Sequence, residues 1–274
     1  RLTTPQWVGE EGVEAVVVLS IDDMRAPEPY DRYLYLILNR LEAIDDRAPV
    51  SIFVNGLEPG HPTLQTWLGR GLSLEVHTTD HPCPLLQGGD LSRARSTVER
   101  CIDLLNEVPG SSPVAYRMPC CDSINSVSPR FFAEIFEGHT EAGNHLTIDS
   151  SVSNVFGDER FRQHLPADRS FVNTIEDYPY PYVIGKACWE LPCAVPSDWE
   201  AQHLRGPNHP ETVADMKAAL DCCVEAKGVF TLVFHPHNWI QARQVVELID
   251  HADQTYGRRV KFLNFREVQE RLDA

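Results

Sequence analysis

The chain has 274 residues, with 24 Lys and Arg against 40 Asp and Glu, and a formal net charge of −16 at pH 7. This length is enough for one large domain, or two small ones, with a real core. The acidic balance argues against a nucleic-acid partner and against an anionic membrane surface, and no apolar run is long enough for a transmembrane segment.

Apolar, β-branched runs alternate with amphipathic stretches along the whole chain. This alternation predicts strands joined by helices, and therefore a mainly parallel sheet or barrel. The predicted strands are Ala15–Ile21, Val50–Asn55, Leu72–His77, Val114–Met118, His145–Asp149, Val229–His235 and Val260–Leu263. The predicted helices are Tyr30–Asp46, Thr63–Arg70, Leu91–Val108, Pro129–Phe136, Glu211–Ala226, Ile240–Tyr256 and Phe265–Leu272.

Residues 150–202 are less regular and are rich in Pro, Tyr and Trp. We interpret them as long loops that cover a site, with a small hairpin. No linker or internal repeat divides the sequence, so we expect a single domain over residues 1–274.

The eight cysteines do not match a known disulfide or metal-binding pattern, because two pairs are vicinal and no C-x-x-C spacing occurs. Zinc ribbons and thioredoxin-type motifs are thereby excluded. We expect most of these thiols to be buried as small hydrophobes. A bridge between Cys188 and Cys193 is compatible with the sequence, but nothing requires it.

Ionisable residues stand at the carboxyl ends of several predicted strands. Active sites of α/β barrels and of open α/β sheets lie at that edge. Several independent strands that end in such residues are stronger evidence for an active site than any single motif. The residues concerned are Asp22, Asp23, His77, Arg117, Asp149 and His235.

A metal site is predicted from three of these positions. His77 and His81 are four residues apart, a spacing that places two rings on one side of a helix or tight turn. With Asp23 they make a two-His, one-carboxylate set that leaves positions open for water and substrate. Zinc is the first choice, with cobalt, manganese or iron as alternatives. The competing interpretation is an exposed turn that carries two histidines by chance.

The remaining acids suggest a division of roles. If Asp23 binds a metal, Asp22 is left to act as general base towards the attacking water. Arg117 would keep Asp22 ionised, because a nearby positive charge favours the carboxylate, and Asp149 would hold Arg117 in place. Taken singly, without the other residues, Arg117 or Asp149 would be interpreted as an ordinary surface or ion-pairing residue.

His235 ends the run Val229–Phe234. A protonated imidazole there would donate to the leaving nitrogen or oxygen of a tetrahedral intermediate. The competing interpretation is a core histidine bonded to backbone. His237 is the rival candidate for the acid, since alternation along an extended chain points both rings to the same side.

These residues resemble the motifs of the polysaccharide deacetylases, the NodB-homology group of carbohydrate esterase family four. The family's TFDD motif is matched by Ser20–Asp23, its H-[ST]-x-x-H by His77–His81, its R-x-P-Y by Arg117–Cys120 and its L-x-x-H by Leu232–His235. The resemblance runs from about Val16 to Leu263. It implies a distorted (β/α)7 barrel with one divalent metal, Asp22 as base and Asp23 as a ligand.

The resemblance also has departures. Cys120 replaces the usual Tyr, whose backbone N–H the family directs towards the oxyanion, and Cys retains that N–H. The family's fourth motif, an Asp with a Trp, is split: Asp149 resembles its acid, and either Trp189 or Trp199 would supply its apolar wall. The long middle segment is more similar to the peptidoglycan-deacetylase-like branch.

The resemblance implies a metal-dependent hydrolase that removes acetyl groups from N-acetylated sugars of a polysaccharide or peptidoglycan. The alternatives are a hydrolase of a small linear or cyclic amide, and a catalytically silent carbohydrate-binding relative, because fold alone does not fix function. The family's cell-wall substrates favour an extracytoplasmic site, whereas the unpaired-looking cysteines favour the cytoplasm.

Overall fold

The computed structural model describes residues 10–83, 85–121, 129–136, 138–165, 173–185 and 188–274. Its strands are β1 (Ala15–Met24), β2 (Val50–Val54), β3 (Ser73–Val76), β4 (Ala115–Tyr116), β5 (Ile148–Asp149), β6 (Ser153–Val155), β7 (Thr174–Glu176), β8 (Tyr182–Ile184), β9 (Cys188–Glu190), β10 (Cys193–Ala194), β11 (Val229–Phe234) and β12 (Val260–Phe262).

Helices connect these strands. They are α1 (Pro27–Asp45), α2 (Pro62–Arg70), α3 (Leu91–Asn106), α4 (Pro129–Phe131, continued as a π-turn over Phe132–Phe136), α5 (Glu159–Arg162), α6 (Asp198–Arg205), α7 (Pro210–Glu225), α8 (Ala242–Tyr256) and α9 (Phe265–Leu272). All but α9 of these described helices lie outside the apolar cluster on the inner face of the sheet. Among the described residues, no helix has the length and apolar character needed to cross a membrane.

The strands form one curved sheet whose central members follow the chain order. Its order is β7-β6-β10-β11-β1-β2-β3-β4-β5-β9-β8, and β12 pairs with β1. The pairings are parallel apart from β8 with β9. This half-barrel with outer helices confirms the predicted (β/α)-barrel fold class, and its parallel strands bring their carboxyl ends to one rim.

Alternation along β1 divides the core between the two faces of the sheet. Ala15, Val17 and Leu19 pack on the outer face with apolar residues of the helices. Val16 and Val18 point inwards, into a second apolar cluster formed with residues of other strands and of the helix α9. Because successive side chains point to opposite faces, Ser20 and Asp22 continue the inward row towards the rim.

The residues at the ends of α1 and α2 explain where these helices begin and end. α1 begins with a proline at its first position, where the missing N–H is not needed. It ends at Asp46, whose φ of 53° is left-handed. α2 also begins with proline, and it ends at Gly71 with φ 97°, a conformation that glycine adopts without a Cβ clash.

The middle segment differs from the expected loops. The antiparallel pair β8 and β9 confirms the predicted hairpin. β6, β9 and β10, however, join the parallel sheet, and the sequence did not predict them because strands of two or three residues carry almost no periodicity. Residues 166–172 and 186–187 of the predicted covering loops lie outside the described residues.

Candidate active site

The adjacent acids Asp22 and Asp23 lie at the rim, on an irregular end of β1. The pairing of β1 with β2 shifts register between Ile21 and Met24, and Asp23 has a left-handed φ of 70°. The Tyr30 hydroxyl donates to the Asp22 carbonyl oxygen at 2.6 Å and fixes this bulge. A bulge re-aims side chains, and here each carboxylate meets its own set of partners.

Asp22 is buried against the guanidinium of Arg117, which is 0% exposed. Arg117 Nη1 donates to Asp22 Oδ1 at 2.7 Å and to Ser20 Oγ at 2.9 Å. The guanidinium carbon lies 4.0 Å from the centre of the Phe53 ring. Arg117 therefore lies where the sequence predicted it, next to the candidate base.

Ser150, the residue that follows β5, contacts Arg117. Arg117 Nε donates to the Ser150 carbonyl oxygen, and Nη2 donates to Ser150 Oγ, both at 3.0 Å. Asp149 accepts a hydrogen bond from Ser151 Oγ and pairs in register with Glu190 on β9. Burial raises the pKa of Asp149 to about 6, while the charge of Arg117 opposes this rise. Its role as the residue that orients Arg117 stays a prediction.

Four imidazole rings surround the carboxylate of Asp23. Oδ1 lies 3.4 Å from His77 Nε2 and 3.0 Å from His81 Nε2. Oδ2 lies 3.1 Å from His237 Nε2 and 3.8 Å from His235 Nε2. Burial would raise the pKa of Asp23, but the close approach of His237, His77 and His81 holds it well below its usual range.

The protonation of His77 tests whether a cation fits here. Its Nδ1 lies 2.8 Å from the carbonyl oxygen of Arg117, and a carbonyl only accepts, so Nδ1 carries the proton. In the neutral ring Nε2 then carries a lone pair, and Asp23 Oδ1 is itself an acceptor. Two acceptors that face each other across 3.4 Å are stabilised by a cation between them, and a backbone-bonded histidine is typical of a metal ligand.

The loop of His81 is held in the matching orientation. Asn55 Nδ2 donates to the carbonyl oxygens of His77 and Thr78, at 2.8 and 2.9 Å. The His81 amide donates to Thr78 Oγ1 at 3.1 Å. Ligand atoms of Asp23, His77 and His81 all lie within 4.8 Å of one another. The donor set predicted from sequence is thus brought together, and it fits a divalent ion such as zinc.

His235 lies across the site and is paired with Asp198. Its Nδ1 lies 2.8 Å from Asp198 Oδ1, and its backbone N–H donates to Asp198 Oδ2 at 2.7 Å. Burial alone would lower the pKa of His235, but the charge of Asp198 raises it to about 9. The ring is therefore protonated near neutral pH, with Nε2–H directed into the site.

Asp198 is the functional residue that the sequence analysis missed. It is the first residue of α6, whose N-cap Ser197 forms a capping box with Glu200. At the other end of α6, Arg205 Nε donates to the buried Asp215 of α7 at 2.8 Å. The Ser-x-x-Glu pattern at 197–200 was the available signal, and it would have placed Asp198 at a helix start.

A cavity of about 190 Å³ opens between the cluster of Asp23, His77 and His81 on one side and His235 on the other. Cys120 and Trp199, both predicted to contact substrate, contribute to its wall. Trp239, which the sequence analysis did not consider for this role, also lines it, whereas Trp189 packs against the inner apolar cluster. The residues lining the cavity are Asp22, Asp23, His77, His81, Cys120, Ser153, Leu165, Thr174, Cys193, Ala194, Ser197, Trp199, Glu200, Val233, His235 and Trp239.

A disulfide joins two loops of this cavity. Cys83, just after His81, is bonded to Cys120, with the Cα atoms 6.2 Å apart. Cys188 and Cys193 do not form the bridge that the sequence allowed, and both are buried. The backbone of Cys120 is left-handed, with φ 62°, and its use as an oxyanion donor stays a prediction.

Comparison with known proteins identifies the fold. No protein-family profile and no curated protein sequence match the chain. A solved structure from Mycobacterium smegmatis, described as a polysaccharide deacetylase, has a TM-score of 0.60 at 22% identity and covers 96% of this chain and 92% of that chain. Peptidoglycan deacetylase PdaC from Bacillus subtilis has a TM-score of 0.54 at 15% identity, covering 96% and 94%.

PuuE allantoinase is also similar, with a TM-score of 0.66 at 13% identity, covering 99% of this chain and 93% of that chain. The chain therefore has the fold of polysaccharide and peptidoglycan deacetylases and of an allantoinase, as the resemblance of its motifs implied. Identities this low establish the fold alone.

Proposed function

We propose that this protein is a metal-dependent hydrolase that removes acetyl groups from N-acetylated sugars of a polysaccharide or peptidoglycan. The observation that carries the proposal is the convergence of Asp23, His77 and His81, whose ligand atoms lie within 4.8 Å of one another, with Nδ1 of His77 bonded to a backbone carbonyl oxygen. Asp23, His77 and His81 would hold the ion, and zinc suits this donor set.

When bound, the ion would polarise the amide carbonyl and lower the pKa of a water molecule. Asp22, held by Arg117 at 2.7 Å, takes the proton of the attacking water. The backbone N–H of Cys120 donates to the developing oxyanion. His235, protonated and oriented by Asp198, gives its proton to the leaving nitrogen.

The test is acetate release from N-acetylated chitooligosaccharides and from peptidoglycan fragments by the zinc-loaded protein. Asp22→Asn serves as the inactive control that still binds zinc. We expect acetate and free amine in equal amounts from the wild type. A wild type that binds zinc but releases acetate from none of these glycans would contradict the glycan proposal.

A small amide is the second candidate substrate, and the shape of the site favours it. The cavity is partly walled by apolar side chains, including Leu165, Trp199, Val233 and Trp239. Apolar walls with a few convergent polar groups are typical of small-molecule sites. One protein of the same fold is an allantoinase. Turnover of small linear and cyclic amides, measured beside the glycans, separates the two candidates.

We also infer that the protein acts outside the cytoplasm. The Cys83–Cys120 disulfide supports an oxidising compartment, and one protein of this fold is a peptidoglycan deacetylase. Alkylation of the protein immediately after cell lysis tests this, since cytoplasmic protein would show both cysteines labelled.

A further inference from the structure

The two oxygens of Asp23 face different partners. Oδ1 faces His77 and His81, at 3.4 and 3.0 Å, the two rings placed to share a cation with it. Oδ2 points to the opposite side, towards the segment that follows β11. A carboxylate that binds a cation through one oxygen leaves the other to be oriented by a hydrogen bond.

His237 supplies the contact to Oδ2. Its Nε2 lies 3.1 Å from Oδ2, and because a carboxylate only accepts, Nε2 is the donor. His235 is 3.8 Å from the same oxygen, too far for a hydrogen bond, and its other nitrogen is bound to Asp198. The two histidines that compete as candidate acids in the sequence therefore have different partners.

The turn that carries His237 is fixed by contacts outside the site. The backbone N–H of Asn208 donates to the Trp239 carbonyl oxygen at 2.8 Å. The side chain of Asn208 donates to the Asn238 carbonyl oxygen at 3.0 Å. The His237 ring stacks on that of His235, with centroids 5.4 Å apart and planes inclined by 25°, and meets Trp239 edge-on at 5.1 Å.

We propose that His237 is a positioning residue for the cation site: its Nε2–H binds Asp23 Oδ2 and thereby directs Oδ1 to the ion. This inference rests on the proposed metal dependence. The carboxylate of Asp23 extends from a left-handed residue at the irregular end of a strand. Without His237, the carboxylate would lose the neighbour that fixes its rotation about χ2.

The experiment is a zinc titration of metal-free protein in competition with a chromophoric chelator. It compares the wild type with His237→Phe, which keeps an aromatic ring but has no donor, and with His237→Gln, whose amide nitrogen can donate to the same oxygen. His251→Phe is the matched control, because His251 Nε2 also contacts a carboxylate, that of Asp221 at 2.6 Å, on helices outside the cavity lining.

We expect His237→Phe to bind zinc about 10- to 100-fold more weakly, the usual effect of removing a group that orients a metal ligand. His237→Gln should recover most of this loss, and His251→Phe should match the wild type. Thermal unfolding of the metal-free variants checks that each is folded. His237→Phe with wild-type zinc affinity, or His237→Gln as weak as His237→Phe, would overturn the inference.

Cobalt substitution separates orientation from direct ligation. A positioning role leaves the visible spectrum of the cobalt protein unchanged in His237→Gln, whereas loss of a ligand alters its intensity and maxima. An altered spectrum would overturn the hydrogen-bonding role. If the wild type itself binds no zinc, it is the proposed function that fails. If the wild type binds zinc and His237→Phe binds it equally well, only the present inference fails.

Discussion

The two walls of the cavity are built in different ways. The cation wall consists of Asp22, Asp23, His77 and His81, with Arg117 buried behind them, all carried by the ends of β1, β3 and β4 or by the turns that follow them. The acid wall consists of Trp199 and His235, with Asp198 buried behind them. There, only His235 follows a central strand, and its partner comes from the helix α6.

The residues of the first wall belong to short sequence motifs, whereas the second wall depends on a contact between residues that are far apart in the chain. In the cation wall, neighbouring parallel strands bring the residues together, and the motif alone specifies them. In the acid wall, the pKa of His235 depends on Asp198, 37 positions away in the chain. A protein can therefore retain readable metal ligands while its proton donor depends on a helix that no local motif at His235 reveals.

The largest expected effect is the loss of the base from the cation wall. Asp22→Asn should lower kcat by about 10²- to 10⁴-fold, the usual contribution of a general base, and keep about one zinc per chain, because Asp22 lies on Arg117 and not on the histidines. His77→Ala should lose the zinc. Elemental analysis beside acetate release measures both. Full activity in Asp22→Asn would remove Asp22 from the mechanism.

The next effect concerns the buried ion pair behind this wall. Arg117→Met leaves the buried carboxylate of Asp22 without its guanidinium and should lower the free energy of unfolding by about 3–5 kcal/mol. The double variant Asp22→Asn/Arg117→Met should be more stable than the sum of the two single changes predicts. Urea unfolding of the wild type, the two single variants and the double variant measures this coupling. Strictly additive changes in the free energy of unfolding would argue against an interaction between Asp22 and Arg117.

A third effect tests a buried acid in the strand that supports His77. Glu75 Oε2 accepts the backbone N–H groups of Val114 and Ala115, and burial raises the pKa of Glu75 from 4.5 to about 7. The folded protein therefore retains this proton where the unfolded chain loses it, so Glu75 lowers the free energy of unfolding as pH rises from about 4.5 to about 7.

Glu75→Gln removes this titration. Since each pKa unit corresponds to about 1.4 kcal/mol, the stability of Glu75→Gln relative to the wild type should increase by up to about 3 kcal/mol between pH 5 and pH 8.5. Urea unfolding at several pH values measures the difference in the free energy of unfolding between the two proteins. The other titrating groups contribute equally to both and cancel in this difference. A difference that is constant with pH would show that Glu75 does not titrate in this range.

The smallest effect belongs to the acid wall. Asp198→Asn removes the charge that keeps His235 protonated, and we expect kcat on an alkyl amide to fall about 10- to 100-fold with zinc content unchanged. A nitroanilide, whose leaving group needs less protonation, should be affected less. Equal losses on the two substrates would indicate that Asp198 supports the fold and not proton donation.

The sequence specified the cation wall because its signals are local. The runs before Asp22 and His77 predicted β1 and β3 to within a few residues, and the four-residue spacing of His77 and His81 indicated shared ligation. The structure brings these side chains together as expected. The left-handed turn at Asp23 could not be predicted, since it depends on pairing with β2.

The short strands of the middle segment and the contact of His235 with Asp198 were not predicted, because the strands are short and the contact joins residues 37 positions apart. β6, β9 and β10 have two or three residues each, so their apolar pattern is too short to recognise. At the end of β5, Ser150 was not predicted as a contact of Arg117, because which residue faces inwards depends on the register, and a shift of one residue reverses that.

The Cys83–Cys120 disulfide has a practical consequence for all of these measurements. A thiol reductant in the purification buffer would open it and release two thiols, one of them beside His81 and the other in the cavity wall. Thiolates are themselves strong zinc ligands. Zinc stoichiometry should therefore be determined in buffers without mercaptoethanol or dithiothreitol, and two laboratories that differ only in this additive should expect different metal contents.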